Sequence, residues 1–223
     1  MTDPAPALAA LPGRDRPLKI WDISPAVDEH SEVFPGDTAY SQQLHFSLSP
    51  DCPVNVNRIT LSPHTGAHAD APLHYASGEP AIGAVDLLPY LGPCRVIHCL
   101  DGGPLVEPAH IAHALDLLPA RVLLRTARVA SQSWASFSAI SPGTLALLAT
   151  KNIVLVGIDT PSVDAANSQD LPCHHLLLRH GLRVLENLVL NDVPEGDYEL
   201  IALPLKLMRV DASPVRAILR ELP

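Results

Sequence analysis

Five short apolar runs, at residues 95–100, 122–125, 153–159, 184–190 and 200–205, recur from residue 95 onward, each rich in Val, Ile and Leu and of strand length. Between several of them lie helical candidates: residues 108–117, with Pro108 at a first-turn position, and residues 142–150, which Ser141 could cap. That alternation predicts an α/β chain with a largely buried, mixed β-sheet core. Upstream, residues 18–23 read as a first strand and 39–48 as a second. Residues 54–61 (VNVNRITL is the string) alternate apolar and polar in period two, as a strand with one buried face should. Phe34-Pro35-Gly36-Asp37 carries a strong turn signal. The last stretch, 214–222, fits helix or strand equally well.

With 223 residues, 47% of them hydrophobic and 17% charged, the chain can fill a sizeable core. One domain over residues 18–223 is expected. Residues 1–17 (MTDPAPALAALPGRDRP) are rich in Pro and Ala without periodicity and read as a flexible leader. No apolar run approaches the roughly 18 residues that a bilayer requires, so no membrane partner is expected. Fifteen Lys and Arg against 24 Asp and Glu give a net charge of −9. The basic residues are scattered singly, which argues against nucleic acid as a partner. Cys52, Cys94, Cys99 and Cys173 form no CxxC pair, and a chain with this much core needs no disulfide staple; a reducing cytoplasm is the expected setting.

The histidines are concentrated in two places. His64, His68, Asp70 and His74 stand at offsets 0, 4, 6 and 10 in S-P-H-T-G-A-H-A-D-A-P-L-H-Y. Imidazole nitrogen and carboxylate oxygen suit borderline divalent ions such as Zn²⁺. An HExxH helix is excluded, because position 65 is Thr and because Pro63, Gly66 and Pro72 would interrupt it. The groups must therefore sit on an irregular loop leaving a strand, with Gly66 permitting a tight turn between two histidines. One such histidine alone is ordinarily a solvated loop residue; four metal-competent groups in eleven residues point to a metal. No cysteine lies near to close a structural zinc site, so a catalytic site is the better reading.

His174 and His175 are adjacent, and Glu186 interrupts an apolar stretch. A carboxylate there requires a cation, a metal or an open face, and Arg183 is a near candidate. If the two clusters converge, enough ligands exist for two metals, with Asp70 the natural bridge. Cys173 lacks a recognisable nucleophile motif, and no Gly-x-Ser-x-Gly elbow occurs. Residues 159–164 follow an apolar strand and read as a pocket wall or a capped turn.

The stretch His64-Thr65-Gly66-Ala67-His68-Ala69-Asp70-Ala71-Pro72-Leu73-His74 resembles the HxGxHxDxPxH signature of the metal-dependent cyclase and amidohydrolase family. Trp21-Asp22-Ile23-Ser24, Phe34-Pro35-Gly36-Asp37, Gly157-Ile158-Asp159-Thr160-Pro161-Ser162 and Leu203-Pro204-Leu205-Lys206 support it, and together they narrow it to the bacterial kynurenine formamidase branch. The resemblance implies a homodimer with a swivelling β/β/α fold and two divalent ions per subunit, zinc being expected. By the same comparison His64, His68 and Asp70 would hold one ion, and Asp70, His174 and Glu186 the other. His174 is preferred to His175 on the family's spacing to the glutamate. His74 would be the general acid and base, and Phe34, where many relatives carry Trp, would contact the substrate's ring. The implied reaction is hydrolysis of N-formyl-L-kynurenine to L-kynurenine and formate in tryptophan degradation. The alternatives are a related hydrolase acting on another aryl or cyclic amide such as isatin, and a non-catalytic metal-binding protein.

Overall fold

The protein is described here by a computed structural model covering residues 18–222. Its strands, in chain order, are β1 (Ile20–Asp22), β2 (Ser41–Phe46), β3 (Val56–Thr60), β4 (His68–Asp70), β5 (Leu91–His98), β6 (Leu105–Val106), β7 (Arg121–Arg125), β8 (Ala139–Ile140), β9 (Leu155–Ile158), β10 (Arg183–Leu185), β11 (Gly196–Ile201), β12 (Ala212–Pro214) and β13 (Ile218–Glu221). The helices are α1 (Pro108–Ile111), α2 (Pro142–Ala149) and α3 (Pro172–His180). Seven strands form one mixed sheet in the order β1-β13-β11-β5-β7-β9-β10. The β1, β13, β11 and β5 neighbours run antiparallel, and β5, β7, β9 and β10 run parallel.

The parallel strands sort their side chains by the period of two. Val96, Leu123, Leu155 and Leu185 join one apolar cluster, which also takes Ala67, Ala69 and Ala71 from the short β4–β12 pair. Ile97, Val122, Leu124, Val156, Ile158 and Val184 join the other, which takes Ile111, Leu145, Leu148 and Leu177 from the helices. Both faces of the parallel part of this sheet are therefore covered, one by the histidine-bearing segment and one by helices. That is the single-domain α/β architecture expected from the apolar runs.

Several local expectations hold. Ser141 caps α2, its Oγ accepting from the Thr144 N–H at 3.2 Å. At the 34–37 turn the Asp37 N–H donates to the Phe34 carbonyl at 2.9 Å, and Gly36 supplies a φ of 95°. Others are corrected. The strands within 39–48 and 54–61 exist, but β2 and β3 are exposed at every residue, because they pair as a projecting hairpin. The helix at 108–117 stops at Ile111, tightening into a 3₁₀ turn at Ala112–Ala114 before Leu117 takes a left-handed φ of 49°. The strand at 184–190 ends at Leu185, since Asn187 is left-handed at φ 57°. The run at 200–205 belongs to a strand displaced toward Gly196 by its pairing with β5. Residues 214–222 resolve as the end of β12 followed by β13, and α3 was not anticipated. The leader expected at 1–17 lies outside the described residues. Among those residues no helix is long and apolar enough to cross a membrane.

Candidate metal centre

Strand β4 presents His68 and Asp70, with Ala212 paired to Asp70 and Pro214 to His68. The chain reaches β4 through Gly66, whose φ of 67° turns the backbone between His64 and His68 as its sequence position suggested. A Cβ there would also meet Val27 Cγ2 at 2.7 Å. Tertiary packing thus adds a second reason for glycine.

Asp70 is the centre of the arrangement. It is 1% exposed, and neither carboxylate oxygen has a hydrogen-bond partner. Three imidazole nitrogens surround it: His64 Nδ1 lies 3.0 Å from Oδ1, His68 Nε2 3.5 Å from Oδ1, and His174 Nε2 3.4 Å from Oδ2. Each ring is held from behind by an oxygen. His68 Nδ1 faces the Gly66 carbonyl at 2.9 Å, His174 Nδ1 the Asp164 carboxylate at 2.7 Å, and His64 Nε2 the Asp211 carboxylate at 3.0 Å. With an oxygen behind one nitrogen of each ring, the inner nitrogen faces Asp70 and can give its lone pair to a cation once the ring is neutral with its single hydrogen on the outer nitrogen.

Helix α3 and the end of β10 bring the second cluster to the first. Pro172 at the helix start and Gly181, left-handed just beyond its end, are ordinary start and stop signals. Asp164, from the loop after β9, accepts from the Cys173 and His174 N–H groups at 2.9 and 3.0 Å while orienting the His174 ring. Glu186 leaves β10 to form a bridge with His68; its Oε1 accepts from the Val163 N–H at 2.7 Å, and its Oε2 lies 3.3 Å from His68 Nε2. Arg183 is not its partner. His174 is buried whereas His175 is exposed, so the structure brings only the former to the centre. Within residues 159–164, Pro161 and Ser162 line the cleft, the Ser162 Oγ accepts from the Asp164 N–H at 3.3 Å inside the turn, and Asp159 accepts from the Thr126 and Ala127 N–H groups of the loop after β7.

The electrostatics match a cation site. Burial would lower the His64 pKa, but Asp70 and Asp211 override it and raise it to about 10. Burial likewise opposes the charged form of His174, and Asp164, Asp70 and Glu186 raise it to about 10. Burial would raise the Asp70 carboxyl; His64, His174 and His68 hold it well below the usual carboxylate range instead. Buried carboxylates converging with inward-facing imidazole nitrogens are the donor set of a hard-to-borderline divalent ion, and the orphaned Asp70 oxygens fit one. Ligating atoms of His64, Asp70 and His74 lie within 4.8 Å of one another, as do those of His68, Asp70 and Glu186. Asp70 belongs to both groups, as a bridge would. The first contains His74 where the resemblance implied His68, and the second His68 where it implied His174.

A cleft of about 360 Å³ opens onto this centre and is lined by Phe34, His64, His68, His74, His174 and Glu186, with Trp134 on the wall. Trp134 meets Phe34 edge-on at 5.0 Å between centroids. Sequence reading passed over Trp134, which stands in a loop without periodicity, and Asp211, whose partners His64 and His74 are more than 130 residues distant. Cys173 is buried, its thiol donates to the Ile140 carbonyl, and burial pushes its pKa up; it does not line the cleft.

The family model described as "Cyclase: Putative cyclase" matches residues 21–165. The chain belongs to the putative cyclase family. Among relatives of this cyclase-family chain, the kynurenine formamidase of Polaromonas naphthalenivorans (strain CJ2) is 83% identical over 222 residues, covering 100% of both chains. That of Bordetella petrii (strain ATCC BAA-461 / DSM 12804 / CCUG 43448) is 64% identical over 206 residues, covering 92% of this chain and 99% of the relative. A solved structure described as a potential metal-dependent hydrolase with cyclase activity superposes with TM-score 0.78 at 28% identity, covering 93% of this chain and 100% of that one. Isatin hydrolase A from Labrenzia aggregata shares the cyclase fold with TM-score 0.78 at 23% identity, over 92% of this chain and 94% of that one.

Proposed function

We propose that this cyclase-family enzyme hydrolyses N-formyl-L-kynurenine to L-kynurenine and formate. The observation that carries the reading is the 83% identity, over the full length, to a protein named kynurenine formamidase. In this reading His64, His68 and Asp70 hold one divalent ion and Asp70, His174 and Glu186 a second, with zinc the expected metal. Such ions, when bound, lower the pKa of water to give a nucleophile near neutral pH and polarise the formyl oxygen.

The chain's own residues supply the rest. His74 lies at the cleft, its ring 4.3 Å from that of His64 and 5.9 Å from that of His174, and it acts as the proton carrier to the leaving aniline nitrogen. Phe34 and Trp134 offer two aromatic faces to the substrate ring, an interaction worth about 0.5–1.5 kcal/mol beyond area burial. A homodimer is the assembly we infer, supported by the exposed apolar residues of the β2–β3 hairpin. The four cysteines are free, which supports a reducing cytoplasmic setting.

The test is turnover of N-formyl-L-kynurenine beside isatin by protein purified without chelator, with elemental analysis of the same sample. Kynurenine production with two equivalents of zinc is expected. A bound metal with no turnover of any formyl anilide would defeat the reading, and preference for isatin would replace the substrate.

A further inference from the structure

Asp211 immediately precedes β12 and is fixed by backbone contacts on both sides. Its carbonyl accepts from the Ala71 N–H at 2.8 Å, the Val210 carbonyl from Ile82 at 2.9 Å, and the Leu207 carbonyl from Gly83 at 3.0 Å. A Cβ on Gly83 would lie 2.7 Å from the Leu207 carbonyl carbon, so the two segments close only because that position has no side chain. The Asp211 backbone is thereby pinned beside the end of β4, and its side chain reaches two rings at once. One oxygen, Oδ2, lies 3.0 Å from His64 Nε2 and 3.1 Å from His74 Nδ1.

An ionised carboxylate can only accept hydrogen bonds, so both of these ring nitrogens carry their hydrogens. A neutral imidazole has one N–H and one lone pair. In the neutral ring, the form that can bind a cation, the contact puts the His64 lone pair on Nδ1, which lies 3.0 Å from Asp70 Oδ1. It puts the His74 lone pair on Nε2. The same acceptor also serves His74 when both of its nitrogens are protonated, so the ring need not move between its two states.

We propose that Asp211 is a positioning residue for hydrolysis: through one oxygen it fixes His74 with Nε2 available for proton transfer and His64 with Nδ1 directed at the metal position. The inference rests on the reading of His74 as the proton carrier. As water oxygen bonds to the formyl carbon, the water proton goes to His74 Nε2. When the C–N bond breaks, its electron pair goes to nitrogen, which takes that proton. His74 returns to the neutral ring with its hydrogen on Nδ1, Asp211 stays ionised throughout, and the free amine leaves with formic acid, which gives water's second proton to solvent and becomes formate.

The test is a double-mutant cycle, with Asp211→Asn and Asp211→Ala each made in the native chain and in His74→Asn, read as kcat and KM at saturating zinc. Zinc affinity is measured separately by chelator competition, and folding by thermal melting. In the native background Asp211→Ala is expected to lower kcat by about 10²-fold, the lower end of what a positioned proton carrier contributes, with little change in KM. Zinc affinity should fall by about tenfold through His64, as loss of a partner behind a ligand typically does. The isosteric Asp211→Asn, which keeps an acceptor oxygen without the charge, should fall between Asp211→Ala and the native protein, and Asp211→Glu should recover part of kcat. In the His74→Asn background the additional loss of kcat should vanish. An equal loss in both backgrounds, with His74→Asn itself impaired and still metallated, overturns the positioning role and leaves the reading of His74 intact. Normal kcat in His74→Asn, or loss of its metal, overturns both.

Discussion

Strand β4 carries His68 and Asp70 and is buried along its whole length, whereas the β2–β3 hairpin carries Leu44, Phe46, Val56 and Ile59 and is exposed along its whole length. Phe46 and Ile59 are 50% and 56% exposed, against 1% for Asp70. Each region departs from the usual relation of residue type to burial. The contrast shows what each lacks. A buried carboxylate without hydrogen-bond partners costs several kcal/mol unless a cation offsets it, and an exposed apolar surface is stabilised when another surface covers it. On the function and assembly proposed above, β4 would be completed by metal and the hairpin by a second copy of the chain.

The hardest test of the β4 side is metal removal. Chelation should abolish activity, and Zn²⁺ or a similar divalent ion should restore it; full turnover by verified metal-free protein would break the contrast at its root. Asp70→Asn should lose at least one equivalent of metal and most of the activity, because the shape is kept while the negative charge shared by both ligand groups is gone. Elemental analysis of the purified variant decides it. Replacing the two adjacent histidines singly sharpens the same point: His174→Ala should lose metal, and His175→Ala should keep both equivalents, since the former is buried at the centre and the latter faces outward.

On the hairpin side, Phe46→Asp or Ile59→Asp should convert a dimer to a monomer in sedimentation, while each folded subunit retains its metal. An unchanged sedimentation coefficient would remove the hairpin from the interface. The smallest effect expected is in thiol chemistry. Cys52 sits at the hairpin's connection, bridged to Ser49, whereas Cys94, Cys99 and Cys173 are buried, with burial pushing the first two thiols up to about 12 and the third up as well. A thiol whose pKa is raised stays protonated and unreactive at pH 8. One thiol per chain should therefore react with a disulfide reagent in native protein at that pH and four after unfolding. Slower reaction of Cys52 in the native chain than in the Phe46→Asp monomer would place the hairpin connection near the covered surface.

The chain's order of residues was sufficient for whatever depends on near neighbours. Apolar runs marked the strands of the sheet, Pro35 and Gly36 marked a turn, Ser141 marked a cap, and the spacing of His64, His68, Asp70 and His74 marked a ligand-bearing loop. The period-two pattern at 54–61 was read correctly as a strand and wrongly as half-buried, because alternation reports two faces and says nothing of what lies against either.

The decisive features of the centre were beyond local pattern. His174 and His175 differ by one residue, about 100° of helical rotation, and only the docking of α3 through Asp164 turns one of them inward. Glu186 finds His68 rather than Arg183 because β10 ends one residue before it, at the edge where β4 passes. Asp211 meets His64 and His74, and Trp134 meets Phe34, across separations that no periodicity encodes. Sequence determined which groups can bind a metal, since that is a property of side-chain chemistry and short spacing. Tertiary structure alone decided which of them converge, because convergence depends on how the sheet, helix and β4–β12 pair pack, and those contacts join residues distant along the chain.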